Sequence, residues 1–218
     1  MNIIICLVIS YLIGSLSGSL ILGKIKNIDV RKYGSGNAGG TNTFRIIGPL
    51  SAVIVTMIDI LKGYIAVKYI PLFLLKNINP NEYNLTVILI AFVCILGHVY
   101  PLYFQFKGGK GVGTLLGTLP VILGWEYTAI CLVIWIVTLL LSGFVGLASI
   151  IAGISLPIQY LYTESEYLSL NISPASIYCI SIALFIIFTH RGNIKRMWEG
   201  NENRFDKLRI FNLFSHKS

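Results

Sequence analysis

Charged residues are scarce in this chain of 218 residues: they make up 12% of it, against 55% hydrophobic residues. A soluble core of this size could not bury so much apolar surface, so we expect an integral membrane protein. Residues 1–22 contain no early basic cluster and no small-residue cleavage site, although they are long enough to span a bilayer. We interpret them as a retained first helix and not as a signal peptide.

Cysteine pairs and metal-type spacings are also missing. The four cysteines lie singly within apolar runs, at Cys6, Cys94, Cys131 and Cys179. We expect them to be small packing residues. Possible metal ligands are not grouped at a usable spacing, so we expect no metal and no cofactor. The sequence also contains no nucleic-acid-reading module, and we expect no nucleic-acid partner.

The apolar runs predict an all-α, polytopic transmembrane helix bundle with about seven spans, each near the ~17–25 residues that a crossing needs. They cover residues 3–22, 49–70, 85–104, 110–123, 125–143, 145–162 and 174–190. The fourth run is short and interrupted by three glycines and Pro120, so it also fits a half-helix or re-entrant piece. No repeat or flexible linker divides the chain, and residues 1–218 are predicted to form a single domain.

Basic residues concentrate in one of the two sets of loops that seven spans would create. Nearly all Lys and Arg residues lie in 23–48, 104–110 and the tail from 190, whereas the loops at 70–84 and 163–173 are mainly acidic and apolar. By the positive-inside rule, this bias predicts an external N-terminus and a cytoplasmic C-terminus.

The first basic loop reads YGSGNAGGTNTFR over residues 33–45. Its glycines, which include Gly36 and Gly39, allow backbone N–H groups to converge on an anion. Arg45 could form two hydrogen bonds to a phosphate, and neutral donors are supplied by Ser35, Asn37, Thr41 and Asn42. A flexible turn between helices is the alternative, because the loop matches neither a Walker A nor a strict G-x-G-x-x-G motif.

The second basic loop reads GHVYPLYFQFKGGKG over residues 97–111. Lys107, Gly108, Gly109 and Lys110 precede a predicted helix, and a helix N-terminus favours phosphate. An ordinary positive-inside loop would explain the lysines but not the glycines. His98 is ambiguous, since a single His at a helix end is more often structural than a general base.

A third segment, THRGNIKRMWEGNENR, follows the last span at residues 189–204. If the helix continues, His190 and Asn193 share a face that could meet the other two loops. A stop-transfer cluster explains Arg191, Lys195 and Arg196, but it does not require His190, Asn193 or Glu202.

Asp59 and Lys62 stand three residues apart within the second predicted span. Charges inside a membrane tend to pair and to face the bundle interior. We therefore favour a structural ion pair over a direct chemical role, while their closeness to the cytoplasmic half leaves a substrate role open.

Together these segments resemble the PlsY family of bacterial acyl-phosphate:glycerol-3-phosphate acyltransferases. The family motifs G-S-G-N-x-G-x-T-N-x-x-R, G-H-x-[FY]-P…F-K-G-G-K-G and H-R-x-N-I-x-R…G-x-E occur in order, at residues 34–45, 97–111 and 190–202. A D-x-x-K-G motif is present at residues 59–63. A further family segment, V-S-L-x-S, reads VGLAS at residues 145–149, so Gly146 replaces a serine and Ser149 is retained.

The resemblance implies transfer of a fatty acyl group from acyl phosphate to the 1-hydroxyl of glycerol-3-phosphate, which gives lysophosphatidic acid and phosphate. It implies catalytic roles for Ser35, Arg45, Lys107, His190 and Asn193. It further implies that substrate phosphate is bound by Gly36, Asn37, Gly39, Thr41, Asn42, Gly108, Gly109, Lys110 and Ser149. The implied setting is the bacterial inner membrane with a cytoplasm-facing site, and a soluble enzyme that makes acyl phosphate is an implied partner.

The H-x-x-x-x-D pattern of acyl-CoA-dependent or acyl-carrier-protein-dependent acyltransferases is absent, since Tyr103 follows His98 and Lys195 follows His190 at that spacing. We favour a donor phosphate oxygen over His190 as the proton acceptor, because no carboxylate is positioned to orient a histidine. The competing interpretations are an organic-phosphate carrier and a non-catalytic membrane scaffold.

Overall fold

The computed structural model describes residues 2–76, 78–165 and 173–210, and every regular element among them is helical. The predicted all-α class is therefore confirmed. The chain forms two compact units, Met1–Trp125 (unit 1) and Glu126–Ser218 (unit 2). Most of the predicted loop at 163–173 lies outside the described residues. The helices are α1 (Asn2–Gly14), α2 (Gly18–Ile25), α3 (Gly40–Ile46), α4 (Pro49–Leu74), α5 (Pro80–Val99), α6 (Val112–Ile122), α7 (Trp125–Ser142), α8 (Val145–Ser165), α9 (Pro174–Thr189) and α10 (Arg191–Trp198).

Four segments of the described chain are long and apolar enough to cross a membrane, namely Pro49–Leu74, Pro80–Phe104, Trp125–Ser142 and Val145–Thr163. Two bent helix pairs, α1 with α2 and α9 with α10, raise this number to six if each pair is one span. Helix α6 has 11 residues and is only about 17 Å long at a rise of about 1.5 Å per residue. The half-helix interpretation therefore fits the fourth apolar run better than a full span, and the orientation of the termini stays a prediction.

Small residues let the helices of unit 1 pack closely. A Cβ on Gly117 of α6 would collide with the carbonyl oxygen of Ile60 in α4. Between α1 and α5, the Ser10 hydroxyl donates to the carbonyl of Ile90 at 2.6 Å. Helices in lipid gain little from the hydrophobic effect between themselves, so close backbone approach and interhelical hydrogen bonds stabilise such contacts.

The first apolar run is broken between α1 and α2, where the chain bends by 44°. At this break, the carbonyl oxygen of Leu16 accepts a hydrogen bond from the Lys62 ammonium at 2.8 Å. After the bend, Leu20 of α2 packs with Val30 and Ala38 in a small buried core. This core connects α2 to the Gly-rich loop that follows it.

In unit 2, polar side chains join α7 to α8. Gln159 Nε2 donates to Ser155 Oγ at 2.9 Å, and both side chains contact the thiol of Cys131. The four cysteines are free and buried, as predicted for packing residues. The segment after α10 returns to the α7–α8 turn, where the N–H of Phe205 donates to the carbonyl of Gly143 at 2.9 Å.

Candidate active site

One buried amide shapes the first basic loop. Asn42 is 1% exposed, and its Nδ2 donates to the carbonyls of Val30 at 2.8 Å and Tyr33 at 3.1 Å. Its Oδ1 accepts from the backbone N–H of Ser35 at 2.9 Å. Because both amide donors are used inside the protein, Asn42 supports the loop, and the structure does not support the predicted contact of its amide with phosphate.

Two left-handed glycines flank Ser35 at the tip of this loop. Gly34 has φ +59° and Gly36 has φ +70°, a region that side chains rarely adopt. Ser35 and Asn37 are partly exposed there. Gly39 precedes α3, on which Thr41 and Arg45 lie four residues apart and therefore on one face. The loop and α3 thus carry the hydroxyl groups of Ser35 and Thr41, the amide of Asn37 and the guanidinium of Arg45.

The second basic loop folds back on the end of α5. The N–H of Gly108 donates to the carbonyl of Val99 and that of Gly109 to the carbonyl of His98, both at 3.1 Å. These two N–H groups are thus satisfied internally, so the predicted phosphate contact through them is not supported. Because Gly108 and Gly109 have no side chains, the loop can return this close to the end of α5. A Cβ on Gly109 would collide with the His98 imidazole.

The two basic loops contact each other within unit 1. Arg31 Nη1 donates to the carbonyl of Phe104 at 3.1 Å, and a Cβ on Gly109 would lie 2.6 Å from the carbonyl oxygen of Ala38. Arg31 also binds Asp29 through Nε at 2.9 Å, and this hydrogen bond holds the pKa of the Asp29 carboxyl below its usual range. Arg31 lies just before the first basic loop, and as one of the basic residues of 23–48 it has only an orienting role by the positive-inside rule. Its D-x-R spacing with Asp29 is the signal in the sequence that points to more.

Both lysines of the second loop lie beside this contact. Lys107 is exposed and Lys110 is partly exposed. Gly111, with φ +87°, then ends the loop, and α6 begins at Val112. Lys107, Lys110 and the cationic Arg45 of α3 are therefore carried by the two loops that the structure brings together.

Beneath the loops lies a buried cluster of Asp59, Lys62 and His98, each at most 5% exposed. Lys62 Nζ is 2.9 Å from Asp59 Oδ1 and 2.9 Å from His98 Nδ1. The predicted ion pair between Asp59 and Lys62 is confirmed. His98 Nδ1 also lies 3.4 Å from Asp59 Oδ1, so this ring nitrogen is held between an ammonium and a carboxylate. The sequence did not predict a carboxylate beside either histidine. His98 is thus a buried, hydrogen-bonded residue, the more ordinary of its two predicted roles.

In unit 2, His190 lies at the junction of α9 and α10, where the chain bends by 53°. The helix therefore bends at this point, whereas the prediction that His190 and Asn193 share one face requires a helix that continues straight. His190 is 3% exposed, and its Nδ1 is 2.9 Å from the carbonyl oxygen of Ile186. A carbonyl only accepts, so Nδ1 carries the proton and the lone pair of a neutral ring is on Nε2. The histidine is thus oriented by a backbone carbonyl and not by a carboxylate, a partner that the sequence does not reveal.

Asn193 is 5% exposed and is oriented by an acidic residue further along the chain. Its Nδ2 donates to Glu202 Oε1 at 2.9 Å, while Arg196 Nε donates to Glu202 Oε2 at 2.8 Å. A Cβ on Gly146 would lie 2.8 Å from Asn193 Nδ2. The glycine that departs from the family pattern therefore allows Asn193 to approach α8 closely.

Ser149 is committed to the packing of unit 2. Its Oγ donates to the carbonyl of Val145 at 2.9 Å and accepts from Trp135 Nε1 at 3.1 Å. The side chain is also buried, with 5% exposure. The structure thus uses the hydroxyl to join α7 and α8, and it does not support the predicted contact of Ser149 with substrate.

Unit 1 therefore carries two basic loops in contact with each other, and unit 2 carries an oriented histidine and amide. The helices have the length and composition of a membrane protein. Residues 4–200 match the family model described as glycerol-3-phosphate acyltransferase. The chain belongs to this family and is an integral membrane acyltransferase of phospholipid synthesis.

Individual relatives agree with this assignment. A glycerol-3-phosphate acyltransferase from Staphylococcus carnosus is 38% identical over 93% of this chain and 97% of the relative, and one from Photorhabdus laumondii is 36% identical over 93% and 87%. Two crystal structures of PlsY (YgiH), described as an integral membrane glycerol 3-phosphate acyltransferase, are similar in fold. The glycerol 3-phosphate form has a TM-score of 0.81 and 32% identity over 98% of this chain and all of the other. The lysophosphatidic acid form has a TM-score of 0.79 and 30% identity over 97% of this chain and all of the chain in that structure.

Proposed function

We propose that this acyltransferase moves a fatty acyl group from acyl phosphate to the 1-hydroxyl of glycerol-3-phosphate and releases lysophosphatidic acid and phosphate. The observation that carries the proposal is the contact between the two basic loops of unit 1, which bear Arg45, Lys107 and Lys110. The related PlsY, solved in glycerol 3-phosphate and lysophosphatidic acid forms, supports the same acceptor and product.

The cationic loops suit the electrostatic demand of this reaction. An acyl phosphate is already activated, so the enzyme mainly has to align the acceptor hydroxyl with the carbonyl carbon. Two phosphate groups held close together repel each other, and fixed cations and polar donors offset that repulsion. We assign this role to Arg45, Lys107 and Lys110, with Ser35 and Thr41 as neutral donors.

The bond changes require one proton acceptor. The glycerol oxygen attacks the carbonyl carbon, the bond from that carbon to the phosphate oxygen breaks, and the hydroxyl proton is lost. Two acceptors fit the chemistry: a phosphate oxygen of the donor, and His190, whose Nδ1 contact with Ile186 leaves Nε2 as the basic nitrogen. We propose that Asn193 also acts in this reaction.

A His190→Ala variant separates the two acceptors. If the donor phosphate takes the proton, turnover persists in this variant, and the pH dependence that remains is that of the substrate phosphates, whose second pKa is about 6. Complete loss of turnover with intact glycerol-3-phosphate binding would identify His190 as the base.

The charge bias of the basic loops supports a cytoplasm-facing site in the bacterial inner membrane. Acyl phosphate is a reactive donor that a separate enzyme has to produce. We therefore propose a soluble acyl-phosphate-forming enzyme as a partner in the same compartment.

The donor is tested with purified protein in lipid, radiolabelled glycerol-3-phosphate, and either palmitoyl phosphate or palmitoyl-CoA. We expect lysophosphatidic acid from the acyl phosphate alone, with strong loss in Arg45→Ala and Lys107→Ala. Lys24→Ala is the matched control, because Lys24 is an exposed cation of α2 outside the two basic loops. Product from palmitoyl-CoA would refute the proposed donor, and saturable glycerol-3-phosphate uptake into proteoliposomes without product would favour a carrier.

A further inference from the structure

We propose that the buried Asp59–Lys62–His98 cluster is a positioning device that aligns the second basic loop for phosphate binding. The inference rests on the phosphate-binding role proposed for Lys107 and Lys110. It assigns these three residues a function in the reaction although none of them need touch substrate.

The cluster connects three helical elements of unit 1, one of which leads directly into the second basic loop. The Lys62 ammonium lies within 3 Å of Leu16 O at 2.8 Å, Asp59 Oδ1 at 2.9 Å and His98 Nδ1 at 2.9 Å. Leu16 lies in the break before α2, Lys62 in α4, and His98 in the last turn of α5. One ammonium therefore ties the break before α2 and helix α4 to the point where the second basic loop starts.

Simple helix packing does not require such a group. Buried ions lose hydration, and well-packed apolar residues often hold helices at least as well. Ionisable residues within membrane helices are costly, so they commonly have a functional reason. Here the ammonium also satisfies the carbonyl of Leu16, which lies where the first helix is interrupted.

His98 transmits this anchoring to the second loop at two points. Its carbonyl accepts the N–H of Gly109 at 3.1 Å, and its ring lies where a Cβ of Gly109 would be. Lys62 fixes the ring through Nδ1, so the side of the ring that carries Nε2 forms the surface against which Gly109 packs. Lys107 and Lys110 flank this point of contact, and their alignment depends on it.

The test is a double-mutant cycle between His98 and Gly109. Asn at position 98 keeps an acceptor near the Nδ1 position but lacks the outer ring atoms, and it leaves the Asp59–Lys62 pair intact. Because misaligned Lys107 and Lys110 would bind the phosphate less well, we expect His98→Asn to raise the KM for glycerol-3-phosphate about tenfold, the effect of losing roughly one hydrogen bond to a charged group. We expect a much smaller change in kcat, as for lost ground-state binding.

Gly109→Ala should raise the same KM strongly in the wild-type background. In the His98→Asn background the colliding ring is gone and the Ala38 carbonyl oxygen, 2.6 Å from the added Cβ, remains, so the increase should be smaller but not zero. Gly108→Ala is the matched control: its Cβ would meet the His98 carbonyl and Pro101 Cδ, the latter at 2.5 Å, and neither is removed by His98→Asn. Its effect should therefore be equal in both backgrounds.

Thermal unfolding in detergent is measured for every variant. If His98→Asn does not fold, His98→Gln replaces it: Gln reaches the Nε2 position, so the Gly109→Ala penalty should persist in full. Loss of that penalty in His98→Gln, an unchanged KM in His98→Asn, or equal Gly109→Ala effects in the wild-type and His98→Asn backgrounds would overturn the inference. If Lys107→Ala and Lys110→Ala leave KM unchanged, the proposed phosphate role fails and the inference with it.

Discussion

Replacing Asn42 by alanine should disorganise the first basic loop while leaving the helices in place. The change removes three hydrogen bonds, to Val30, Tyr33 and Ser35. At about 1 kcal/mol for each bond, the loss is roughly 3 kcal/mol. Since about 1.4 kcal/mol corresponds to a tenfold change, the KM for glycerol-3-phosphate should rise by up to about a hundredfold if the whole loss falls on the loop.

The assay is the KM for radiolabelled glycerol-3-phosphate at saturating acyl donor, together with thermal unfolding in detergent. Thr43→Val is the matched control, because Thr43 Oγ1 donates to the carbonyl of Gly39, which also accepts the backbone N–H of Thr43. That carbonyl stays satisfied in the control, so we expect little change in KM. An Asn42→Ala enzyme with unchanged KM would refute the argument that this amide shapes the binding loop.

Three further outcomes follow from the contacts described above. Glu202→Ala should lower kcat/KM by about tenfold or more, because the Asn193 amide loses its acceptor. Glu202→Gln keeps one oxygen for Asn193 but places an NH2 donor opposite Arg196 Nε, so it should lose less activity than Glu202→Ala; equal losses would contradict this. Gly146→Ser should reduce activity, since overpacking by about 1–3 kcal/mol displaces Asn193; unchanged kinetics would argue against the close contact. The pKa of Asp29 is lowered in the folded protein, so its pairing with Arg31 stabilises above the ordinary carboxyl pKa and is lost as pH falls through the folded value. The difference in unfolding temperature between wild type and Asp29→Asn should therefore shrink below about pH 4, and a constant difference would contradict the assigned cause.

Much of the fold could be predicted because membrane helices are recognised from local composition. Continuous apolar runs define α4, α5, α7 and α8. The glycines and the proline that interrupt the fourth run indicate that α6 is short. The bends after Gly14 and at His190 were not predicted. They depend on partners distant in sequence, such as the Lys62 ammonium at the carbonyl of Leu16, and hydropathy contains no information on such contacts.

Site residues could be predicted by chemical type but not by the direction of their hydrogen bonds. Asn42 and Ser149 have side chains that suit a phosphate, yet both are used to support the fold, because their burial leaves backbone and indole groups as the nearest partners. Arg31 shows the opposite case. The sequence indicates only an orienting charge, whereas the structure makes it a connector between the segment before the first basic loop and the second basic loop, since its partner Phe104 is 73 residues away.

His98 and His190 are both buried, and their Nδ1 atoms face different partners. His98 Nδ1 lies 2.9 Å from the Lys62 ammonium and 3.4 Å from the Asp59 carboxylate, so a charged pair surrounds it. His190 Nδ1 lies 2.9 Å from the carbonyl oxygen of Ile186, which only accepts, so a neutral His190 has its proton on Nδ1 and its lone pair on Nε2. The surroundings of His98 therefore fit the positioning role that we propose for it in unit 1, and the tautomer of His190 fits the proton acceptor that we propose in unit 2.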